Sequence, residues 1–292
     1  MDKVKFQALL NQEIEVMSQI ALTEDLAGAE NSDITAELVK EDRTATASLV
    51  TRQDAILCGK AWVEKVFEQL GSKVKITWLY QDGDKISANS EICQLTGNAR
   101  ALLTGERSAM NFLQSLSATA TVTSIYQSKL EGTNCKLLDT RKTIPGMRFG
   151  QKYAVKCGGG VNHRLGLSDA YLIKENHILA CGGIKEAIQT AQQSHPDKLL
   201  EIEVESLSEL SQALDSGAQV VMLDNFTLKE MSEAVKLRDI HPNKAKLEAS
   251  GNVSLETIKD IADTGIDFIS VGALTKHIDA IDLSMRITLV DE

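Results

Sequence analysis

Short apolar runs alternate with helical patterns from about residue 135 onward, and this alternation restricts the folds open to the chain. Each run is long enough for one buried strand and ends in polar or small residues, and a helical stretch follows it. The six runs read CKLLD, AYLIK, LLEIEVE, QVVMLDN, AKLEAS and DFISVGA. Six strand–helix units predict an α/β domain with a parallel sheet. The domain is either barrel-like or an open doubly wound sheet, and the spacing alone does not separate the two.

Start and stop signals for helices lie between the later runs. Ser206 with Glu209 and Thr227 with Glu230 fit the capping box, in which the first and fourth side chains satisfy each other's free backbone donors. Gly217 stands where a helix C-cap is expected. These signals predict that the polar strand ends and the helix starts gather at one face of the sheet, where α/β enzymes place their catalytic groups.

The first hundred residues read as a separate α+β domain. The stretches TATASLVTRQDAILCG and SKVKITWLYQDGDKI have the composition of strands, and AWVEKVFEQLG has that of a helix with a glycine stop. We therefore predict an N-terminal α+β domain at 1–115 and an α/β domain at 116–275, with helical structure at 103–130 joining them. We expect the tail at 276–292 to pack back on the N-terminal domain.

The bulk composition excludes some classes of partner. The 292 residues carry 31 Lys plus Arg against 41 Asp plus Glu, a net charge of -10, which disfavours a broad nucleic-acid or anionic-membrane surface. Apolar runs stay short of the ~20 residues that a membrane span needs. The first residues read as an amphipathic helix rather than a signal peptide. Five scattered cysteines without a CxxC motif indicate free thiols in a reducing compartment, so we expect a cytoplasmic protein.

Cations concentrate in the middle of this acidic chain. Arg141, Lys142 and Lys174 follow predicted strand ends, and His163 with Arg164 follows the glycine run CGGGVN. Glycines allow the backbone to approach a ligand closely, and two arginines can each bind a carboxylate with two parallel hydrogen bonds. The pattern predicts a pocket for a small molecule with more than one carboxylate, or with a carboxylate and a phosphate.

Acidic side chains end the next strands. Glu203, Glu205, Asp224 and Glu248 would converge at the sheet edge, where their mutual repulsion favours a cation among them. Hard oxygen ligands of this kind suit Mg²⁺, usually with substrate phosphates completing the coordination. The alternative is that these acids are solvent-exposed residues at loop starts.

Two late strands are each followed by a turn of small residues and then a helix start. These segments are EASGNVS at 248–254 and ISVGALT at 269–275. Backbone N–H groups in such turns bind phosphate, and the late strands of a barrel are a recurrent position for that site.

The longest motif, LLDTRKTIPGMRFGQKYAVKCGGGVNHRLGLSDAYLIKENHI, resembles the central segment of the quinolinate phosphoribosyltransferase family, also called carboxylating nicotinate-nucleotide pyrophosphorylases. The likeness extends to SDITAELV, GERSAMN, EIEVES, VMLDNF, LEASGNVS and DFISVGALTKH, and so to nearly the whole chain. The resemblance implies a type II phosphoribosyltransferase with an N-terminal α+β open sandwich and an incomplete, six- to seven-stranded α/β barrel. It also implies a homodimer with shared active sites, which could assemble further.

The resemblance further implies roles for particular residues. The quinolinate pocket would comprise Arg107 from the partner subunit together with Thr140, Arg141, Lys142, His163, Arg164 and Lys174. The phosphoribosyl pyrophosphate site would comprise Glu203, Asp224, Glu248, Ser250, Gly251, Asn252, Gly272 and Ala273. Magnesium would be bound by Glu203 and Asp224, and the catalytic residues would be Lys142, Lys174, Glu203 and Asp224.

The implied reaction converts quinolinate and phosphoribosyl pyrophosphate into nicotinate mononucleotide, pyrophosphate and CO₂, a step of NAD biosynthesis. Glu175 stands where the family usually has Asp, which alters the contact expected there. Two other functions remain open. Lys174 at a barrel strand end fits a Schiff-base lyase, and a non-catalytic relative that binds anions would retain the same cations.

Overall fold

The computed structural model describes residues 3–28, 32–71 and 74–290. Residues 1–2 of the predicted first domain and 291–292 of the predicted tail lie outside these ranges. The chain forms two compact units. The barrel unit comprises Ile125–Lys142 and Gly160–Ala273, and the N-terminal unit comprises the described residues up to Ser124, Thr143–Gly159 and those from Leu274 onward.

The helices and strands follow the order along the chain that the apolar patterns predict. The α-helices among the described residues are α1 (Lys3–Asp25), α2 (Lys60–Gln69), α3 (Ala99–Ser128), α4 (Arg148–Cys157), α5 (Glu175–Cys181), α6 (Ile184–Ser194), α7 (Leu207–Asp215), α8 (Leu228–Ile240), α9 (Ile258–Asp263) and α10 (Ala273–Lys276). The strands are β1 (Thr44–Thr51), β2 (Ala55–Ile56), β3 (Lys75–Trp78), β4 (Lys85–Ile86), β5 (Glu91–Asn98), β6 (Lys136–Leu138), β7 (Tyr171–Ile173), β8 (Leu200–Val204), β9 (Val220–Asp224), β10 (Lys246–Ser250), β11 (Phe268–Ser270) and β12 (Leu283–Leu289).

The N-terminal unit contains an antiparallel sheet with the strand order β12-β1-β5-β3. Strand β1 alternates exposed and buried side chains, so that Ala45, Ala47 and Leu49 face the core. Strand β12 of the tail pairs with β1, and Leu289 lies opposite Ala45. The tail is therefore an edge strand of the N-terminal sheet.

The segment 143–159, which contains α4, groups with the N-terminal unit although it falls within the predicted barrel domain. Its attachment depends on Glu13 of α1, whose carboxylate accepts hydrogen bonds from the backbone N–H groups of Phe149 at 2.8 Å and Gly150 at 2.6 Å. The ring of Phe6 adds an edge-to-face contact with Phe149. These partners lie more than a hundred residues apart, which is why local patterns do not reveal them.

The barrel unit contains a parallel sheet with the order β6-β11-β10-β9-β8-β7 among the described residues. The strands from β7 to β11 are neighbours in chain order, as in a barrel, whereas a doubly wound sheet reverses its order at a switch point. Strands β6 and β7 form the two edges and do not pair within the described residues, so the barrel is incomplete. This confirms the α/β fold class with an N-terminal sheet domain and an incomplete barrel.

The sheet of the barrel unit is buried on both faces, as parallel sheets usually are. Leu137, Ile202, Val221, Leu247 and Ile269, one from each of five strands, have no exposed surface. The capping box predicted at Thr227 is confirmed, whereas at Ser206 only half of it forms, because the Glu209 carboxylate accepts the backbone N–H of Glu205 instead of that of Ser206. The Ser206 side chain accepts the N–H of Glu209, and Thr227 forms the full capping box with Glu230.

Among the described residues, none of the helices is both long and apolar enough to span a bilayer.

Candidate active site

The glycine run leads into a segment that is fixed beside β6 rather than flexible. Val161 forms a parallel bridge with Leu138, and the buried carboxylate of Asp139 accepts hydrogen bonds from the backbone N–H of His163 at 2.9 Å and from Asn162 Nδ2 at 2.6 Å. Sequence reasoning did not single out Asp139, although it ends the CKLLD run. Its contacts bring the two cationic motifs, DTRKT and NHR, to the same strand end.

The two arginines of these motifs face each other closely enough to interact. Burial, followed by the like charge of Arg141, lowers the pKa of Arg164, while the charges of Glu201 and Asp169 oppose that shift. The Nε atoms of Arg141 and Arg164 are buried, and neither has a hydrogen-bond partner among the described residues. Two guanidinium groups that each keep a buried N–H without a partner have the chemistry to bind an anion.

His163 lies beneath this pair and contacts two acids. Its Nδ1 accepts the backbone N–H of Arg164 at 2.7 Å, and its Nε2 lies 2.8 Å from Oε2 of Glu201 and 3.6 Å from Oε2 of Glu248. Glu201 was missed by the sequence reasoning. The alternation of LLEIEVE carried the signal, because it places Glu201 and Glu203 on one face of β8.

Lys142 and Thr140 lie against the end of β11. The Lys142 backbone N–H donates to Oγ1 of Thr140 at 3.1 Å. A Cβ built at Gly272 would lie 3.1 Å from Cδ of Lys142 and 3.7 Å from Oγ1 of Thr140. Gly272 thus leaves the space through which the lysine side chain reaches the neighbouring strand ends. Ala273, the first residue of α10, follows directly.

An acidic pair with a lysine stands on the neighbouring strands. Lys174 Nζ lies 2.7 Å from Oε2 of the largely buried Glu203. Burial and the charge of Glu203 raise the pKa of Asp224, and Lys174, Asn225 and Lys142 partly offset this. The ammonium of Lys174 is thus engaged by a carboxylate, an arrangement that gives no support to a Schiff-base nucleophile.

The turns after β9 and β10 meet in an unusual backbone conformation. Asn225, Gly251 and Asn252 all have positive φ, at 56°, 95° and 51°. The Asn225 N–H donates to the carbonyl of Ser250 at 3.0 Å, and its Nδ2 donates to Oδ2 of Asp224 at 2.9 Å. A Cβ at Gly251 would lie only 2.2 Å from Oδ1 of Asn225, so this turn admits only glycine.

Three further residues were named from the sequence. Arg107 is an exposed residue of α3 and belongs to the N-terminal unit. Glu248 is 1% exposed and its carboxylate faces His163 and Glu201 in the sheet interior. Glu205 lies beyond the end of β8 and is exposed, in contrast to Glu203.

The incomplete barrel and its site define a class of enzyme. Clustered cations, an acidic pair and a glycine turn at the carboxyl ends of parallel strands are typical of an enzyme that binds an anionic, phosphorylated substrate. The N-terminal and C-terminal domains of quinolinate phosphoribosyl transferase match residues 33–117 and 119–286. The chain belongs to the quinolinate phosphoribosyl transferase family, which confirms the resemblance drawn from the motifs and the enzyme class.

Individual relatives support this membership. The solved structure of the nicotinate-nucleotide pyrophosphorylase from Francisella tularensis is 48% identical, with a TM-score of 0.91, and the match covers 95% of this chain and 97% of that one. A probable carboxylating nicotinate-nucleotide pyrophosphorylase of Bacillus subtilis is 38% identical over 89% of both chains. The carboxylating enzyme of Mycobacterium leprae is 37% identical over 91% of this chain and 94% of its own.

Proposed function

We propose that this protein converts quinolinate and phosphoribosyl pyrophosphate into nicotinate mononucleotide, pyrophosphate and CO₂, a step of NAD biosynthesis. The observation that carries the proposal is that one barrel unit holds two charged groupings at its strand ends: Arg141 with Arg164, both half-buried, and Glu203 with Asp224. Lys142 connects them, since it follows Arg141 in the chain and its charge acts on Asp224. The first pair suits the dicarboxylate, and the second suits a pyrophosphorylated sugar with a divalent cation. Family membership supports the same reaction.

The part of the site proposed for quinolinate would bind it through charge-assisted hydrogen bonds. Arg141 and Arg164 can bind the ring carboxylates, because each retains a buried Nε–H without a partner in the described part of the chain. Thr140, Lys142, His163 and Lys174 complete the pocket on this proposal, and Arg107 of a partner subunit closes it.

The part of the site proposed for phosphoribosyl pyrophosphate would bind it through the turns at the strand ends. Backbone N–H groups of the turn at Ser250, Gly251 and Asn252 suit the 5′-phosphate, since a side chain at 251 would fill the cradle. Gly272 and Ala273 provide a second small-residue turn beside it, and Glu203 and Asp224 suit the ribose and the pyrophosphate.

Magnesium fits the same acidic pair. The charge of Glu203 helps to raise the pKa of Asp224, so their carboxylates are close enough for a cation to relieve the repulsion. Carboxylate oxygens are the ligands that Mg²⁺ prefers. When bound, Mg²⁺ would neutralise charge on the departing pyrophosphate.

The residues can then support two bond changes. The ring nitrogen attacks C1 of the ribose as the bond from C1 to the pyrophosphate oxygen breaks, and the carboxylates of Glu203 and Asp224 stabilise the positive charge that develops on the sugar. The nitrogen becomes cationic, so the bond from C2 to its carboxylate can break with the electron pair left on C2. Lys142 or Lys174 returns a proton to C2 as CO₂ leaves.

Two further proposals concern assembly and location. We propose a homodimer in which Arg107, exposed on α3, enters the partner's site; such dimers could associate further. We also propose a cytoplasmic location, consistent with the free cysteines and the acidic composition.

The assigned roles predict a split between the two substrates. Arg164→Ala should weaken quinolinate binding by about 100-fold, since it removes one charge-assisted pair, while the dissociation constant of phosphoribosyl pyrophosphate should change less than about threefold. Titration calorimetry of each ligand measures both constants. An equal loss for both ligands would contradict the proposed division of the site.

A further inference from the structure

The interior of the barrel unit contains a polar cluster in which two buried acids have no role in the proposed reaction. The cluster comprises His163, Glu201 and Glu248, with one ligand atom from each lying within 4.8 Å of the others. Glu201 and Glu248 are 3% and 1% exposed. Buried carboxylates are costly unless their interactions offset the loss of hydration, so this pair requires an explanation.

The hydrogen bond at one ring nitrogen determines how the imidazole is oriented. Because Nδ1 of His163 accepts the N–H of Arg164, the proton of the neutral ring is on Nε2. Nε2 in turn lies 2.8 Å from Oε2 of Glu201. The ring is therefore held from both sides and contacts Glu201 through the nitrogen that carries the hydrogen.

Glu248 lies behind Glu201 and reduces the charge of the pair. Burial, and then the charge of Glu201, raises the pKa of Glu248 well above its ordinary range, so that Glu248 retains its proton. A protonated Glu248 can donate a hydrogen bond to the carboxylate of Glu201.

We propose that Glu201 is a positioning residue for quinolinate, because its carboxylate holds the His163 imidazole, and with it Arg164, in the geometry that receives the substrate. Glu248 supports Glu201 from behind. This inference rests on the proposed function, and it moves Glu248 from the phosphoribosyl pyrophosphate end to the quinolinate end.

The positioning role makes a different demand on the Glu201 side chain than metal binding or a purely electrostatic role would. A divalent cation bound by the same three residues would need Glu201 as a charged ligand, and a purely electrostatic role would need its charge but not its reach. The positioning role needs an oxygen at the right distance, with or without the charge. Two conservative variants therefore distinguish these roles, since one keeps the charge and the other keeps the reach.

The test compares Glu201→Asp with Glu201→Gln in steady-state kinetics. Aspartate keeps the negative charge, but its side chain is one methylene shorter. Glutamine is neutral, but it keeps an acceptor oxygen at the same distance from the backbone. We expect Glu201→Asp to raise the KM for quinolinate at least about tenfold, and Glu201→Gln to stay within about threefold of the wild type. Neither should change the KM for phosphoribosyl pyrophosphate by more than about twofold. Glu233→Asp, at an exposed site on α8, is the matched control.

Four outcomes would overturn the inference. The reverse order of the variants would indicate a charge role, and no effect of either would indicate packing alone. Equal rises in both KM values would indicate general damage to the fold. Loss in both variants, together with stoichiometric metal in the purified wild-type protein, would indicate a metal site. A wild-type protein that turns over no quinolinate would instead refute the proposed function, and direct binding of quinolinate to the variants would still test the positioning role.

Discussion

At the scale of single residues, the site depends on side chains whose hydrogen bonds fix the positions of other residues. Asp139 fixes the backbone of His163, and Asn225 links Asp224 to the turn at Gly251. The sequence identified the residues proposed to contact substrate, because cations and glycines are unusual at buried strand ends. The supporting roles of Asp139 and Asn225 were not identified, because they depend on hydrogen bonds to backbone groups on other segments, His163 for Asp139 and Ser250 for Asn225.

Gly251 permits a direct test of the proposed phosphate turn. Gly251→Ala would place a methyl group 2.2 Å from Oδ1 of Asn225 in a backbone with φ of 95°, so the turn must distort. We expect the KM for phosphoribosyl pyrophosphate to rise at least about tenfold, with the dissociation constant of quinolinate nearly unchanged.

Gly132 provides the control, because its φ is 79° and nothing lies within 4 Å of a Cβ built there. Gly132→Ala should cost about 1 kcal/mol of stability from the strained φ and leave both KM values unchanged. Equal kinetic effects of the two alanines would contradict the role of the Gly251 turn.

At the scale of elements, the strands and caps of the barrel unit followed from local chemistry. Apolar runs with polar ends became β6 to β11, and Ser206 and Thr227 began their helices as their hydroxyl groups predicted. The position of α4 did not follow, because it depends on the hydrogen bonds from Phe149 and Gly150 to Glu13 far away in the chain. Patterns within one segment report its own periodicity but not its distant partner.

The junction of β10 and β11 shows how one acid ties elements together. Asp267 accepts hydrogen bonds from Lys246 Nζ at 2.6 Å, Arg238 at 2.7 Å and the backbone N–H of Leu247 at 3.0 Å. Burial favours a raised pKa for Asp267, but these hydrogen bonds outweigh it and lower the pKa below its ordinary 3.8. Asp267 therefore contributes stability above pH 3.8, and the contribution is lost as the pH falls through the lowered pKa.

Asp267→Asn should reduce the free energy of unfolding by about 2 kcal/mol at pH 7, because the charge-assisted hydrogen bonds are lost. The deficit should shrink as the pH falls through the lowered pKa of Asp267, because the wild-type carboxyl then becomes neutral as well. Urea unfolding at pH 7 and at the lowest pH at which the wild type stays folded measures it. Asp260→Asn, at an exposed position in the first turn of α9, should change stability by less than about 0.5 kcal/mol. A deficit that is the same at both pH values would contradict the role of the charge.

At the scale of the whole molecule, assembly was the least predictable property from the sequence. Arg107 reads as an ordinary surface charge on a helix, and it is exposed on α3. Only the family resemblance gave it a role in a partner's pocket. The role proposed for Arg107 across a subunit boundary would leave no periodicity or spacing in its own chain, so the pattern of this sequence could not reveal it.

Shared sites predict that two inactive variants restore each other. Arg107→Ala and Glu203→Gln should each reduce activity at least about 100-fold alone, because each removes a charged group from every site. Mixed dimers contain one site with both residues intact, so co-expressed subunits should recover up to about a quarter of wild-type activity from random pairing. Chromatography with light scattering provides the control for dimer formation. Activity that stays at the level of the single variants would contradict a shared site.

The proposed reaction is tested most directly by following both products formed from quinolinate. Quinolinate labelled with ¹³C in its C2 carboxylate is incubated with phosphoribosyl pyrophosphate, Mg²⁺ and the purified protein, and a parallel reaction contains nicotinate instead. We expect labelled CO₂ and nicotinate mononucleotide in equal amounts from quinolinate, and no product from nicotinate. Product from nicotinate, or a folded dimer that binds both substrates and forms neither product, would contradict it.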